Sequence, residues 1–239
     1  SGEGQLLRTL FFRVEEFQPD TLRLNVSVSP RPAGGGWLRA QDLKDGIAAD
    51  LLLENLFGAP ASGARVEGTL HVYPAGFSFP GYSGWHFYDA APLARASSRE
   101  LGERQTGTDG AARFPLPTEA WSDASCRLED TAQGFEPGGG RGVTARASVM
   151  VSPLEYVLGW KSTSQLDWLP QGGEAELSLL AVDSTLAPRA LGEVTLETLG
   201  VTWTKSLIRD DRGMYRYENM RRETPLASVQ ASLGAEERK

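Results

Sequence analysis

Apolar and polar residues alternate along much of this 239-residue chain, and this period of two is the feature that most limits its fold. Side chains of a strand point alternately to opposite faces of a sheet, so each alternating stretch is predicted to be a half-buried strand. The clearest apolar series are Leu22, Leu24, Val26 and Val28; Val66, Leu70 and Val72; and Val143, Ala145, Ala147, Val149 and Val151.

Further strands are predicted between turn residues, over residues 6–14, 47–53, 125–132, 175–182, 194–204 and 214–218. No long segment sustains a helical apolar stripe, and residues 38–43 are expected to form one turn at most. Many short strands without intervening helices predict an all-β chain of antiparallel sandwiches rather than a parallel α/β sheet.

Two kinds of connection are predicted from Gly, Pro and Asp. Thr108-Asp109-Gly110 and Asp211-Arg212-Gly213 have the residues that tight hairpins require. Residues 30–36 and 74–84 are rich in Pro and Gly, which interrupt strands, so both segments are expected to be loops within the first domain. The Gly138–Arg141 run follows a proline and leads into a strand, so it is expected to be structural and not a phosphate loop.

Charge, hydropathy and cysteine content exclude several classes of protein. A net charge of −7 argues against nucleic acid as a partner, because phosphate binding needs clustered Lys and Arg. The single cysteine, Cys126, excludes an intramolecular disulfide and a cysteine-rich zinc site. No run of about 18 or more apolar residues is present, so no transmembrane helix is predicted.

The two histidines give little support to a catalytic or metal site. Alternation places His71 on the outer face of its strand, and His86 is predicted to lie in an aromatic strand, residues 84–88, that follows a loop. Neither lies near a Gly-x-Ser-x-Gly elbow or at the spacing of metal ligands.

The acidic residues suggest no paired catalytic carboxylates. Glu15-Glu16 alternates across a strand and cannot converge, Asp109 and Asp211 belong to turns, and Glu129-Asp130 is expected at an exposed strand edge. We therefore predict no catalytic, cofactor-binding or metal-binding residues, no cofactor, and no enzymatic activity.

Two features keep other interpretations open. Cys126 beside Arg127 could be an activated thiolate, although its strand context favours an inert position. An aromatic set could stack on sugars or bind a peptide, although packing of a loop on the sandwich is the commoner explanation of such a set. This set comprises Phe77, Phe79, Tyr82, Trp85, Phe87 and Tyr88.

Four segments of the chain carry a family resemblance: Phe11–Asp20; Glu54–Ala61 with Arg65–Gly68; Ala132–Arg141; and Val151–Lys161. In this order they resemble segments of the bacterial α2-macroglobulins, which are large exported protease traps. The first resembles the family's linker strand, the second a strand, a Gly-x-Pro turn and a strand, and the fourth a junction between two domains.

The resemblance implies tandem antiparallel β-sandwiches of the macroglobulin-like, fibronectin-III-like type. Residues 1–18 would be the closing strand of a preceding domain, 19–151 a complete sandwich, and 152–239 a second, incomplete one. The Cys-x-x-Gln thioester motif of many relatives is absent here, because Cys126-Arg127-Leu128-Glu129 ends in Glu.

The resemblance also implies a function for the parent protein. It would be a broad-spectrum endopeptidase inhibitor that entraps proteases after bait cleavage, and this segment would belong to its scaffold, next to other macroglobulin-like domains. The parent is expected in the periplasm as an inner-membrane lipoprotein used in bacterial defence, with a penicillin-binding protein as a further partner. The alternatives are a tandem β-sandwich adhesin or carbohydrate-binding module, and an accessory region of a glycoside hydrolase.

Overall fold

Twelve strands make up the computed structural model, which describes residues 21–117, 119, 121–136, 142–163, 173–209, 211 and 213–234. The strands are β1 Leu22–Ser29, β2 Ile47–Asn55, β3 Arg65–Pro74, β4 His86–Tyr88, β5 Ser97–Gln105, β6 Ala111–Leu116, β7 Cys126–Phe135, β8 Gly142–Val151, β9 Tyr156–Ser162, β10 Leu177–Asp183, β11 Leu191–Arg209 and β12 Tyr215–Leu233. The helical segments in this part of the chain are three short 3-10 turns, at Ala33–Gly35, Ala40–Asp42 and Pro80–Tyr82. The all-β prediction is confirmed, while the strand predicted over residues 6–14 lies outside the described residues.

A sandwich of two antiparallel sheets occupies the first part of the chain. One sheet has the order β1-β2-β6 and the other has the order β5-β3-β7-β8. Their facing sides enclose one apolar core, with Leu53 and Phe114 from the first sheet and Val66, Leu70 and Leu128 from the second all buried. The alternation predicted for β1, β3 and β8 places their apolar side chains against this core, as expected.

A smaller three-stranded sheet, with the order β10-β9-β4, follows the sandwich along the chain. Its edge strand β4 comes from the segment between β3 and β5, where an aromatic strand is predicted after the 74–84 loop, and it pairs with β9 rather than with a strand of the sandwich. Strands β11 and β12 pair only with each other in the described residues, as a hairpin of two 19-residue strands.

The two predicted hairpin turns have different outcomes in the structure. Asp211 and Gly213 lie between β11 and β12, which pair antiparallel, so this hairpin is confirmed. The turn at Asp109-Gly110 is real, with Gly110 at φ 75°, but β5 pairs with β3 and β6 pairs with β2. The hairpin predicted there is therefore wrong, because the turn carries the chain from one sheet of the sandwich to the other. The domain boundary near residue 151 stays a prediction.

Candidate functional site

An apolar cluster joins the sandwich to the three-stranded sheet, and we call it the junction cluster. Its buried members are Trp37, Phe77, Phe79, Val157, Leu180 and Val182, with Tyr82, Trp85, Phe87, Met150, Leu154 and Leu186 packed around them. The first three buried residues come from connections that leave strands of the sandwich, and the other three come from β9 and β10. The cluster is a second core, separate from the core of the sandwich.

Aromatic rings fill the centre of the junction cluster in edge-to-face and offset arrangements. The ring centroids of Trp37 and Phe77 lie 5.1 Å apart with the planes at 61°, and those of Phe79 and Phe87 lie 5.1 Å apart at 71°. Tyr82 approaches Phe87 edge-on at 5.7 Å. Such pairs add about 0.5–1.5 kcal/mol each beyond the area they bury, so the rings fix one packing rather than a loose apolar contact.

Backbone hydrogen bonds continue the junction on both sides of Trp37. The Trp37 N–H donates to the Ser184 carbonyl at 3.1 Å, and the Leu38 N–H donates to the Met150 carbonyl at 3.0 Å. The Ser152 N–H then donates to the Leu38 carbonyl at 2.9 Å. Residues 37–38 are thus bonded to the turn after β10 and to the end of β8 at once.

Side-chain hydrogen bonds pair the polar atoms that the aromatic residues bring into the junction. The Trp37 indole donates to the Leu154 carbonyl at 2.9 Å, and the Tyr82 hydroxyl donates to the Leu186 carbonyl at 3.0 Å. Leu186 has φ 66°, a left-handed conformation that costs a branched residue free energy, and the surrounding contacts stabilise it there. The junction therefore constrains both the aromatic rings and the turn that receives them.

These contacts decide between the two interpretations of the aromatic set. Phe77 and Phe79 are 7% and 6% exposed and belong to the junction cluster, so they cannot stack on a ligand in solution. Trp85 and Phe87 are half-buried against the same cluster, and Tyr88 is 66% exposed. Packing therefore explains most of the aromatic set. The rings pack against the three-stranded sheet β10-β9-β4 as well as against the sandwich.

Both histidines lie on strand surfaces, and in different sheets. His71 is on the outer side of β3, where its Nδ1 lies 3.0 Å from the Ser98 hydroxyl, as alternation predicts. His86 is exposed on β4 and stacks on Trp160 of β9 at 4.5 Å. In the described part of the chain, no group of three or more His, Cys, Asp or Glu side chains is arranged to hold a metal ion.

Cys126 is completely buried at the start of β7, within the core of the sandwich. Burial raises the pKa of its thiol to about 12, and the Asp89 carboxylate adds to the increase. A thiol with such a pKa stays protonated near neutral pH, so an activated thiolate is ruled out at this position.

Asp130 corrects the expectation that Glu129-Asp130 is an exposed strand edge. β7 is an interior strand of its sheet, and Asp130 is 0% exposed on its inner face, in register with Leu128 and Ala132. Neither carboxylate oxygen has a hydrogen-bond partner among the described residues. Burial raises the pKa of Asp130 to about 6.

A buried serine pair, which joins the residue before β7 to the connection from β8 to β9, was not predicted from the sequence. The hydroxyl oxygens of Ser125 and Ser152 lie 2.9 Å apart, and the Ser125 hydroxyl donates to Asp89 at 2.7 Å. The Ser152 hydroxyl oxygen also accepts from the Leu154 N–H at 3.1 Å. No histidine is part of this network, so the serines fix the connection instead of forming a nucleophile and base. Lone serines in a loop carry no sequence signal for such a role.

No helix in the described ranges has the length and apolar character needed to cross a membrane. Residues 39–153 match the family described as the bacterial alpha-2-macroglobulin MG5 domain. The chain is 30% identical over 236 residues to an alpha-2-macroglobulin of Rickettsia conorii, covering 99% of this chain and 12% of that protein. It is 32% identical over 220 residues to an alpha-2-macroglobulin homolog of Yersinia pestis, covering 92% of this chain and 11% of that protein.

Solved structures show the same fold. A crystal structure of a Salmonella alpha-2-macroglobulin mutant aligns with a TM-score of 0.61 and 17% identity, over 92% of this chain and 15% of that one. The native conformation of E. coli alpha-2-macroglobulin aligns with a TM-score of 0.58 and 19% identity, over 93% of this chain and 14% of that one. The chain thus spans about an eighth of the length of the relatives that it matches.

Proposed function

Because this chain belongs to the bacterial alpha-2-macroglobulin family, we propose that the protein containing it entraps proteases and that these residues form part of the scaffold of the trap. The similarity along 99% of the chain to a named alpha-2-macroglobulin carries the proposal. One related structure is that of E. coli alpha-2-macroglobulin activated by porcine elastase, which makes elastase a suitable test protease. We assign no catalytic role to the segment.

The junction cluster supports a mechanical role for the segment. It joins the sandwich to the next sheet through packed aromatic rings and backbone hydrogen bonds, so a displacement of one unit is transmitted to the other. A scaffold that closes around a protease needs links of this kind between its domains. We propose that bait cleavage moves this segment as a body and repacks its outer contacts.

The test compares elastase activity on a large protein and on a small peptide, after incubation with an equimolar amount of the full-length protein. Entrapment predicts that cleavage of the large substrate falls while some cleavage of the small one persists, because only small substrates reach an enclosed protease. Unimpaired cleavage of both substrates would remove the inhibitor proposal.

Two variants test whether the junction cluster of this segment is needed for entrapment. Phe79→Ala removes a buried ring from the junction, at a cost of about 3–5 kcal/mol, and should weaken entrapment if the scaffold must stay coupled. Phe57→Ala alters a ring that is 99% exposed and should trap like the unaltered protein. Equal trapping by both variants would show that the junction has no part in closure.

Our proposal for the location and remaining partners rests on the family resemblance alone. We propose that the parent protein lies in the periplasm, anchored to the inner membrane as a lipoprotein, and that it associates with a penicillin-binding protein. Fractionation of cells that express the full-length protein tests its location. Affinity purification from those membranes tests the association, and recovery of the protein without any penicillin-binding protein would count against it.

A further inference from the structure

A cavity of about 480 Å³ lies beside the junction, between the sandwich and the connections that leave it. Its walls come from β1, from β8, from Arg127 of β7, and from segments near residues 31–36 and 76–79. This volume lies in the range of pockets that hold small ligands or a few residues of a peptide. The cavity adjoins the junction cluster, and Phe79 and Met150 belong to both.

The charged side chains of the cavity are two arginines, Arg31 and Arg127, and its lining contains no acidic residue. Both side chains are exposed, and neither forms an ion pair with any described residue. The hydrogen bond found for Arg127 is a long contact of 3.5 Å to the Ser148 hydroxyl, which also lines the cavity. On a chain with a net charge of −7, this is a local concentration of unneutralised positive charge.

Neutral polar groups surround the two arginines. Ser27, Ser78 and Ser148, each of which carries a hydroxyl, are part of the lining. Gly35 and Gly76 also line it, and a Cβ added at either would meet no atom within 4 Å, so a ligand could approach the backbone there. Arginine, hydroxyl and open backbone groups together are donors suited to an anion.

The rest of the lining favours a carboxylate on a carbon chain over a bare phosphate. Val26, Ala147 and Met150 line the cavity and are only partly buried, so they supply apolar surface that can cover methylene groups. Lysine is absent from the lining, and the described residues contain no α-helix whose N-terminus could receive a phosphate. Arg pairs with carboxylate through two parallel hydrogen bonds, which suits a glutamate or aspartate side chain.

We propose that this cavity binds an acidic side chain carried by an extended peptide segment, with its carboxylate held by Arg31 and Arg127. Arg31 follows β1 in the connection that leads to the junction, and Arg127 lies on the sandwich sheet. A bound carboxylate therefore bridges the connection to the sandwich and stabilises their relative position. The inference concerns this chain alone and does not depend on protease trapping.

The test is isothermal titration calorimetry of the 239-residue chain at low ionic strength with a capped tetrapeptide whose two central residues are glutamates. The proposal predicts saturable binding that is lost with the corresponding glutamine peptide. Arg31→Gln and Arg127→Gln should each weaken binding by about tenfold, the effect of losing one charge-assisted hydrogen bond. Arg99→Gln is the matched control, because Arg99 is exposed on β5, has no ion pair among the described residues, and lies outside this cavity.

The proposal would be overturned by the absence of saturable binding, by equal binding of the glutamine peptide, or by equal weakening by Arg99→Gln. Tighter binding of inorganic phosphate than of the glutamate peptide would instead identify a site for free anions and would also overturn it. Thermal unfolding of each variant without ligand checks that it is folded. All three arginine side chains are exposed, so the variants are expected to unfold at nearly the same temperature.

Discussion

At the scale of single residues, the most unusual feature is the carboxylate of Asp130 inside the sandwich core. It is fully buried without a hydrogen-bond partner in the described structure, and a Cβ added at Gly68 would lie 3.4 Å from one of its oxygens and 3.4 Å from the ring of Phe114. An ionised carboxylate in such surroundings loses its hydration without gaining a compensating contact. The carboxylate therefore destabilises the folded state at neutral pH.

The pH dependence of stability follows from this burial. A pKa raised from 3.8 to about 6 means that the protonated carboxyl is favoured in the folded state. Its contribution is most favourable below the unfolded pKa and is lost as the pH rises through the folded pKa. At about 1.36 kcal/mol per pH unit, the loss between those limits is roughly 3 kcal/mol.

Asp130→Val should therefore stabilise the chain at pH 7, by up to roughly 3 kcal/mol, because it removes the buried charge and keeps a similar volume. The difference in unfolding free energy between variant and unaltered chain should shrink as the pH falls from 7 to 4. Urea denaturation at several pH values measures this difference. Glu129→Gln, which removes a charge from the outer face of the same strand, is the control and should show a small, nearly constant difference. Destabilisation by Asp130→Val at pH 7 would show that the carboxylate has a stabilising contact.

At the scale of strands, period-two alternation predicted those elements whose two faces differ. In β1, β3 and β8, one face contacts the core and the other faces solvent, so apolar residues recur at every second position and indicate a strand. β5 gave no such signal, because it is an edge strand whose residues are almost all exposed and mostly polar. β6 was not predicted, because it contains Pro115 and proline interrupts most strands. β6 lies at the edge of its sheet, where a proline is tolerated.

The candidate site was predictable only in part, for a related reason. The aromatic residues of 77–88 were visible, and their packing role was one of two explanations. The residues that they contact, Val157, Leu180 and Val182, lie far away along the chain. No local sequence pattern shows on which surface the aromatic segment packs. The sequence contained one indication that Asp130 is buried, because it lies two residues from both Leu128 and Ala132 and therefore on the same face of the strand. Its charge instead favoured the prediction of an exposed position.

The β11–β12 hairpin should be the first element to be cleaved by chymotrypsin in the 239-residue chain. It pairs with no other strand in the described residues, and a lone two-stranded ribbon is marginally stable in water. Cleavage is expected near the exposed Trp203, Leu207, Tyr215 and Tyr217, with mass spectrometry locating the sites. The paired strands of the sandwich should be cleaved later, because most of their large apolar side chains, such as those of Leu53 and Phe114, are buried in the core, although Phe57 in the turn after β2 is 99% exposed. Initial cleavage within β1–β8 would contradict this ranking of local stability.

At the scale of the whole molecule, the junction determines whether the sandwich and the three-stranded sheet move as one body. Interfaces between domains are usually modest and polar, and they allow relative motion. This junction instead has an apolar core of its own and a strand, β4, that the sandwich connection contributes to the other sheet. We therefore expect the two units to unfold together.

Gly36→Ala should weaken that coupling with the smallest possible change. A Cβ at Gly36 would lie 2.1 Å from the Ser184 carbonyl oxygen, a backbone atom that cannot move without separating the two units. Overpacking of this kind costs about 1–3 kcal/mol. The cost should destabilise the contact between the two units rather than the interior of the sandwich or of the three-stranded sheet. Hydrogen exchange should then accelerate in β9 and β10 while the amides of β3 and β7 keep their protection.

Gly81→Ala provides the matched control for this experiment. Gly81 lies in the 3-10 turn of the segment that packs at the junction, and a Cβ there would meet no atom within 4 Å. It should leave exchange in both units unchanged. If Gly36→Ala accelerated exchange equally in both units, the chain would unfold as a single cooperative body whose weakest point is not the junction. If it left exchange unchanged in both, the contact at Gly36 would not couple them.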